Sequence, residues 1–166
     1  MANNADAEAL FAAHQPGLLR YLRRAVGHAD AARDLTQDVF VRVAGAGAVP
    51  PTEDERRAWI FRIARNLAID HHRRHDVRRA AHAGARAAAD SPATQDTSLL
   101  VNEALAAIDP LDRDVFLLRE AGGLSYGEIA AACDLTVAAV RSRIHRARLA
   151  LREHLRGPIV AVLTRK

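Results

Sequence analysis

SYGEIAAACDLTVAAVRSRIHRARLALREHL, residues 125–155, holds two helical patterns separated by a three-residue break. Ser125 is followed three positions later by Glu128, the spacing of a capping box, in which each side chain satisfies an orphan N–H of the first turn. The helix opened there runs to about Cys133. Asp134-Leu135-Thr136 is a tight turn, and a longer helix follows from Val137 to about Leu155. On a wheel of about 100° per residue, Val140, Ile144, Ala147 and Leu151 fall on one side and face the core. Ala138, Arg141, Ser142, His145 and Arg146 fall opposite, flanked by Arg143 and Arg148. A short helix, a tight turn and a basic helix form a helix-turn-helix. Small Ala138 lets such a helix approach base edges, and the forks of Arg141 and Arg146 match guanine O6 and N7. Ser142 and His145 offer single hydrogen bonds, while Arg143 and Arg148 are placed for phosphates.

Upstream, Leu99 to Ile108 is helical. Asp109 caps a further helix over Leu111 to Ala121, with Pro110 at its first position, and Gly122-Gly123 ends it. From Ala80 to Thr97 the chain is first Ala-rich and then polar, without apolar periodicity, which marks a linker. The expected architecture is all-α: a helical domain over residues 1–80, a flexible linker over 81–97 and a second helical domain over 98–166.

In the first half, a helix from Asp6 to Val26 contains Pro16, whose missing N–H predicts a kink or break. A second helix starts near Asp30 as N-cap and stops before Gly45, with Leu35, Val39 and Val43 recurring every fourth residue. After a loop from Gly45 to Pro51, Thr52 and Glu55 have capping-box spacing and open a long helix to about Arg79. Its core stripe is Trp59, Ile60, Ile63, Ala64 and Leu67. Its outer face is Arg62, Arg65, Asn66, Ile69 and Arg73, with Asp70 at the edge. Such a surface suits a phosphate backbone, with Ile69 as a flat contact for an unstacked base.

Composition narrows the function classes. The 166 residues allow one or two small domains and include 36 Ala, 23 Arg and a single Lys. Gly and Pro total only 15, and strand-length β-branched runs are scarce, which excludes sandwiches, barrels and doubly wound sheets. The lone Cys133 excludes a disulfide framework or Cys-based zinc site and is expected as a small buried hydrophobe. No apolar run approaches the ~18 residues of a membrane span, and Met1 to Asp6 is not a signal peptide, so no membrane insertion and a cytoplasmic location are expected.

Charge is segregated beneath the net +4. Residues 1–55 carry 5 basic and 8 acidic groups, 56–86 carry 9 and 2, 87–138 carry 2 and 9, and 139–166 carry 8 and 1. Two basic blocks, each closing a domain, are the footprint of a polyanion partner. His71 and His75 have zinc-compatible i, i+4 spacing, but the HHRRH stretch is cationic and no His-Glu-x-x-His is present. No metal, cofactor or catalytic residue is expected.

Specific segments resemble bacterial sigma factors. Asp30 to Phe40 is similar to their D-A-E-D-x-x-Q-[DE]-x-F segment. Trp59-Ile60 through Ile63-Ala64-Arg65-Asn66, with Asp70 and Arg73, is similar to W-[LI]-x-x-I-A-x-N-x-x-x-D-x-x-R. Phe116 to Glu120, Gly123 to Tyr126 with Glu128-Ile129-Ala130, and Val140 to Arg143 with Arg146-Ala147-Arg148 resemble their fourth conserved region. Order, length and two-domain layout are those of the extracytoplasmic-function (ECF) group.

The resemblance implies roles. Asp34, Gln37 and Asp38 would dock on the β′ clamp helices of core RNA polymerase, with the β flap as a further contact. Arg62, Arg65, Asn66, Ile69, Asp70 and Arg73 would lie along the −10 element, with the loop from Ala44 to Thr52 receiving a flipped base. Ala138, Arg141, Ser142, Arg143, His145, Arg146 and Arg148 would meet the −35 element of promoter DNA. The linker would thread towards the polymerase active site, and an anti-sigma factor would restrain the protein. Two departures stand out: Asp134 where the turn usually has Gly, and Ala138-Ala139 where Gly-Thr is commoner. Asp tolerates the left-handed conformation better than most residues, so the turn survives. A stand-alone helix-turn-helix regulator is the rival reading, permitted by the second half and opposed by the basic helix of the first.

Overall fold

In the computed structural model, the described residues are 4–81 and 95–163, with side chains described over most of that span. They form seven helices: α1 (Asn4–Val26), α2 (Ala29–Ala44), α3 (Glu53–Ala81), α4 (Gln95–Ala106), α5 (Pro110–Glu120), α6 (Tyr126–Cys133) and α7 (Val137–Leu163). No strand occurs among the described residues. Most of the expected linker lies outside them, but α4 begins at Gln95, inside its expected end.

α1, α2 and α3 pack on one another as a bundle. Leu18, Tyr21, Leu22 and Val26 make the buried stripe of α1, and Ala32, Leu35, Val39 and Val43 that of α2. Phe11 and Phe40 meet at 5.0 Å between ring centroids and tie the first two helices together. Thr36 is buried within the stripe because its hydroxyl donates to the Ala32 carbonyl, 2.6 Å away. α1 passes through Pro16 without breaking. Both Pro16 and Ala12, whose carbonyl loses its intrahelical donor, are exposed, so water can take the missing bond. The cap of α2 falls two residues earlier than expected, at His28 rather than Asp30, and has no side-chain hydrogen bond. Asp30 sits inside the first turn and accepts from Arg33 at 2.8 Å instead.

Capping chemistry fixes the starts of α3, α5, α6 and α7. Thr52 Oγ1 accepts from the Glu55 N–H, and the Thr52 N–H donates to Glu55 Oε2, each at 3.3 Å. Asp109 Oδ1 accepts from the Leu111 and Asp112 N–H groups at 3.1 and 3.2 Å. Ser125 and Glu128 form the full reciprocal box at α6. Asp134 ends α6 in the left-handed region, φ 54°, with its N–H donating to the Ala130 carbonyl. Thr136 Oγ1 then accepts from the Ala139 N–H at 3.1 Å, starting α7. α7 extends past Leu155, as far as Leu163.

α3 is buried on two sides, which the single core stripe did not anticipate. Ile60, Ala64 and Leu67 form the expected stripe, with Trp59 and Ile63 half-buried. Ala58, Phe61 and Ala68 are buried as well. Phe61 meets Tyr21 of α1 at 6.0 Å between centroids and also lies against Gly122, at the end of α5. α3 therefore packs on α6, and α1 on α5, so the two halves share one continuous core.

We expect Ser125→Ala to lower unfolding stability by about 1 kcal/mol, because it leaves the Glu128 N–H without its cap. Urea unfolding followed by circular dichroism measures this, with an unchanged m-value expected.

Candidate nucleic-acid interface

α7 presents the outer face that the wheel requires. Ala138, Arg141, Ser142, His145 and Arg146 are exposed, while Val140, Ile144 and Ala147 are buried. The arginines of this helix differ in how they are held. Asp112, 4% exposed on the first turn of α5, accepts from Arg143 Nη1 at 2.7 Å and from Arg146 Nε and Nη2 at 2.8 and 3.0 Å. The hydrogen bond from Arg146 does most to hold the Asp112 carboxyl below its usual range. Burial opposes this, and Arg143 adds to it.

That arrangement sorts the candidates. Asp112 takes the Nε side of Arg146 and leaves Nη1 and one Nη2 proton for another acceptor, so this fork keeps a two-donor edge. Arg143 is half-buried and turned to Asp112, with Asp109 at 4.0 Å, which makes it a strut of the domain. Arg148 pairs with Glu120 at 2.7 Å. The expected phosphate roles of Arg143 and Arg148 thus compete with partners already in place. The Arg141 guanidinium lies 5.9 Å from the Tyr126 ring centroid, and Arg119 approaches the same ring at 5.1 Å. Ring contact orients Arg141 without consuming its donors.

On α3 the outer face divides in two. Asn66, Ile69, Asp70 and Arg73 are exposed, Ile69 to 40%. Arg62 and Arg65 instead reach the second half. Arg62 Nη2 donates to the Ala131 carbonyl and, at 2.8 Å, to Asp134 Oδ1. Arg65 Nε donates to Asp114 Oδ2 at 3.2 Å. Burial pushes the Asp114 carboxyl above its ordinary range, against the pull of Arg65. A groove beside the exposed part is lined by Arg42, Arg73, Arg74 and Arg78, with Asp70 among them. Arg42 comes from α2, in the acidic first block, and no pattern in the sequence hints at it; Arg74 and Arg78 come from α3, where the basic block of residues 56–86 is the hint.

His72 is held against the backbone of α1. His72 Nε2 lies 2.7 Å from the Ala25 carbonyl, which only accepts, so this nitrogen carries the proton. Burial first, then neighbouring His72 and Arg74, hold the His71 pKa low. Cys133 is half-buried, and burial pushes its thiol up to about 11. On α2, Asp34, Gln37 and Asp38 are exposed, as a docking face requires.

Comparison with known proteins bears on both halves. Residues 10–78 match the sigma-70 region 2 family and residues 98–151 match sigma-70, region 4. The ECF RNA polymerase sigma factor SigC of Mycobacterium tuberculosis is 35% identical over 156 residues, covering 90% of this chain and 83% of the relative. The chain belongs to the ECF group of sigma-70 factors. The RNA polymerase sigma factor YlaC of Bacillus subtilis is 28% identical, covering 93% of this chain and 95% of that one. Among solved structures, CnrH in complex with the cytosolic domain of CnrY superposes with a TM-score of 0.70 at 28% identity, over 94% of this chain and 91% of the other. The sigma factor RpoE of Bartonella quintana, in complex with the anti-sigma factor NepR, shares the fold with a TM-score of 0.64 over 92% and 95% of the two chains. An ECF sigma factor binds RNA polymerase and directs promoter-specific initiation, and the match of the first half sets the stand-alone regulator aside. Among the described residues, no helix is long and apolar enough to cross a membrane.

Two outcomes follow from these environments. Asp112→Asn is expected to cost about 1–3 kcal/mol, since it breaks charged hydrogen bonds at a buried carboxylate. A folded pKa held below the unfolded value near ~3.9 stabilises above that pH and ceases to do so as pH falls through the folded value. Acid unfolding of Asp112→Asn should therefore be less steep than wild type in that range. For Cys133, a thiol at about 11 against an ordinary 9.0 carries about a hundredfold less thiolate at neutral pH. Iodoacetamide should alkylate it correspondingly more slowly than free cysteine.

Proposed function

We propose that this chain docks on core RNA polymerase through the exposed acidic side of α2, reads the −35 duplex with α7 and holds the melted −10 strand along α3. The observation that carries the reading is the outer face of α7. Ala138, Arg141, Ser142 and His145 are all exposed on a helix set by a capped α6 and a left-handed turn. In this reading Arg141 and the free edge of Arg146 address guanines, and Ser142 and His145 make single bonds. Asn66, Ile69, Asp70 and Arg73 face the −10 strand, and the neighbouring arginines take its phosphates.

The chain supplies promoter choice and polymerase supplies the chemistry, so no catalytic step belongs to this protein. Docking fixes the distance between the two reading surfaces and turns two weak contacts into one tight one. The location is the cytoplasm, where polymerase and promoter are. An anti-sigma factor is a further partner, supported by the solved RpoE, which stands in complex with the anti-sigma factor NepR.

Titration of the labelled protein into core polymerase, by fluorescence anisotropy at stated salt, tests the docking surface. One-to-one saturable binding is expected, and Asp38→Arg should weaken it with helicity unchanged; unaltered affinity would place docking elsewhere. Arg141→Ala should cost about 1–3 kcal/mol at a single −35 position, read across promoter variants bound by the holoenzyme. An equal loss on every variant would make Arg141 a phosphate contact.

A further inference from the structure

Of the four arginines between Ala138 and Leu149, three are held by carboxylates. Arg143 and Arg146 bond Asp112, and Arg148 bonds Glu120. The side chain of Arg141 has no hydrogen bond or ion pair among the described residues. The contact it keeps is with the Tyr126 ring, whose centroid lies 5.9 Å from the guanidinium carbon. The same ring receives Arg119 at 5.1 Å, and Arg119 is itself fixed, because its Nη1 donates to the Leu124 carbonyl at 2.7 Å. An anchored cation, an aromatic ring and a free cation thus link the end of α5, the first turn of α6 and the outer face of α7.

A carboxylate and a ring hold a guanidinium by different means. Asp112 takes two protons from the Arg146 fork, and the charge of such a partner repels an approaching phosphate. A ring face attracts the cation through its quadrupole, takes no proton and carries no net charge. All five donors of Arg141 therefore remain for a base edge. Contact with the ring also confines a side chain that would otherwise sample many rotamers, so less entropy is lost when the fork meets a base. The attraction grows as water is excluded, so it is stronger beneath bound DNA than in the free chain.

Local chemistry sets the geometry of the pair. Tyr126 is half-buried as the first residue of α6, where the Ser125–Glu128 box places it. Arg141 is exposed on α7, whose start is fixed by Thr136, and the left-handed Asp134 ends α6 just before it.

Resting on the reading of Arg141 as a base contact in the −35 duplex, we infer that Tyr126 is a positioning residue for that contact. The ring sets where the Arg141 fork points, and thereby how sharply one base pair is chosen. A ring that only filled space between the helices would support stability and the affinity for every promoter alike. A ring that aims Arg141 acts on the ratio between promoters that differ at one position.

The test uses holoenzyme assembled from core polymerase and the full chain, bound at about 150 mM salt to promoters carrying each base at each −35 position. Discrimination is the ratio of affinities between the preferred base and the next, read at the position where Arg141→Ala flattens it. Tyr126→Leu should lower that ratio about two- to fivefold and leave the ratios at other positions unchanged. Tyr126→Phe, which keeps the ring and drops the hydroxyl, should retain it. In the Arg141→Ala background, Tyr126→Leu should change the ratio no further, because the two side chains act as one unit. Thermal unfolding followed by circular dichroism is the folding control, and a ratio between promoters does not depend on the folded fraction. Undiminished discrimination in Tyr126→Leu would overturn the inference and leave Arg141 as a reader. A Tyr126→Phe protein as impaired as Tyr126→Leu would also overturn it, giving the role to the hydroxyl. An Arg141→Ala protein that loses equally on every promoter would overturn the base contact itself, and the inference with it.

Discussion

The contact of Phe61 with the Gly122 backbone governs how α3 can be used. A helix that buries one stripe has a free outer face, but α3 buries Ile60, Ala64 and Leu67 on one side and Phe61 on another. The second burial brings Arg57, Arg62 and Arg65 within bonding distance of oxygens on α5, α6 and their turns. Apolar packing supplies the approach, and polar groups set the register. Fully aligned, such groups give a unique interface; misaligned, they would leave buried charge unpaired, at a cost well above that of a lost apolar contact.

The two basic helices consequently stand in different electrostatic states. α7 keeps its outer face open, and the buried carboxylate of Asp112 on α5 holds two of its arginines in a rigid frame. α3 keeps only the part from Asn66 to Arg73 open. A long guanidinium side chain is otherwise free to sample many rotamers, and fixing it beforehand lowers the entropy lost on contact with a base. Arg146 is fixed while its second edge keeps donors to offer. Arg62 is fixed by oxygens that take both protons of Nη2.

Much of this was legible in the sequence because it is local. The three side-chain caps at Thr52, Asp109 and Ser125, the left-handed Asp134 and the exposed face of α7 depend on residues at most a few positions apart, and all are present. Asp34, Gln37 and Asp38 of α2 are likewise exposed. What escaped is non-local. Phe61 belongs to no single stripe, and its burial needs a glycine 61 positions downstream. Arg62 and Arg65 have the periodicity of a solvent face, and nothing within a helical turn reveals Asp134 or Asp114. Pro16 misleads for a different reason: its effect depends on whether water reaches the Ala12 carbonyl, which sequence spacing does not encode.

Asp134 joins these two kinds of information in one residue. Glycine would form the corner between α6 and α7 with less backbone strain, so the aspartate accepts a cost at φ 54° and places a carboxylate against Arg62. Folding of the second domain and its attachment to the first are thereby written at one position but in separable atoms, backbone for the corner and side chain for the tie. Asparagine or glycine there would keep the corner and give up the charge that meets Arg62. The turn of a helix-turn-helix thereby carries, besides the corner itself, a tie between the two halves of the chain.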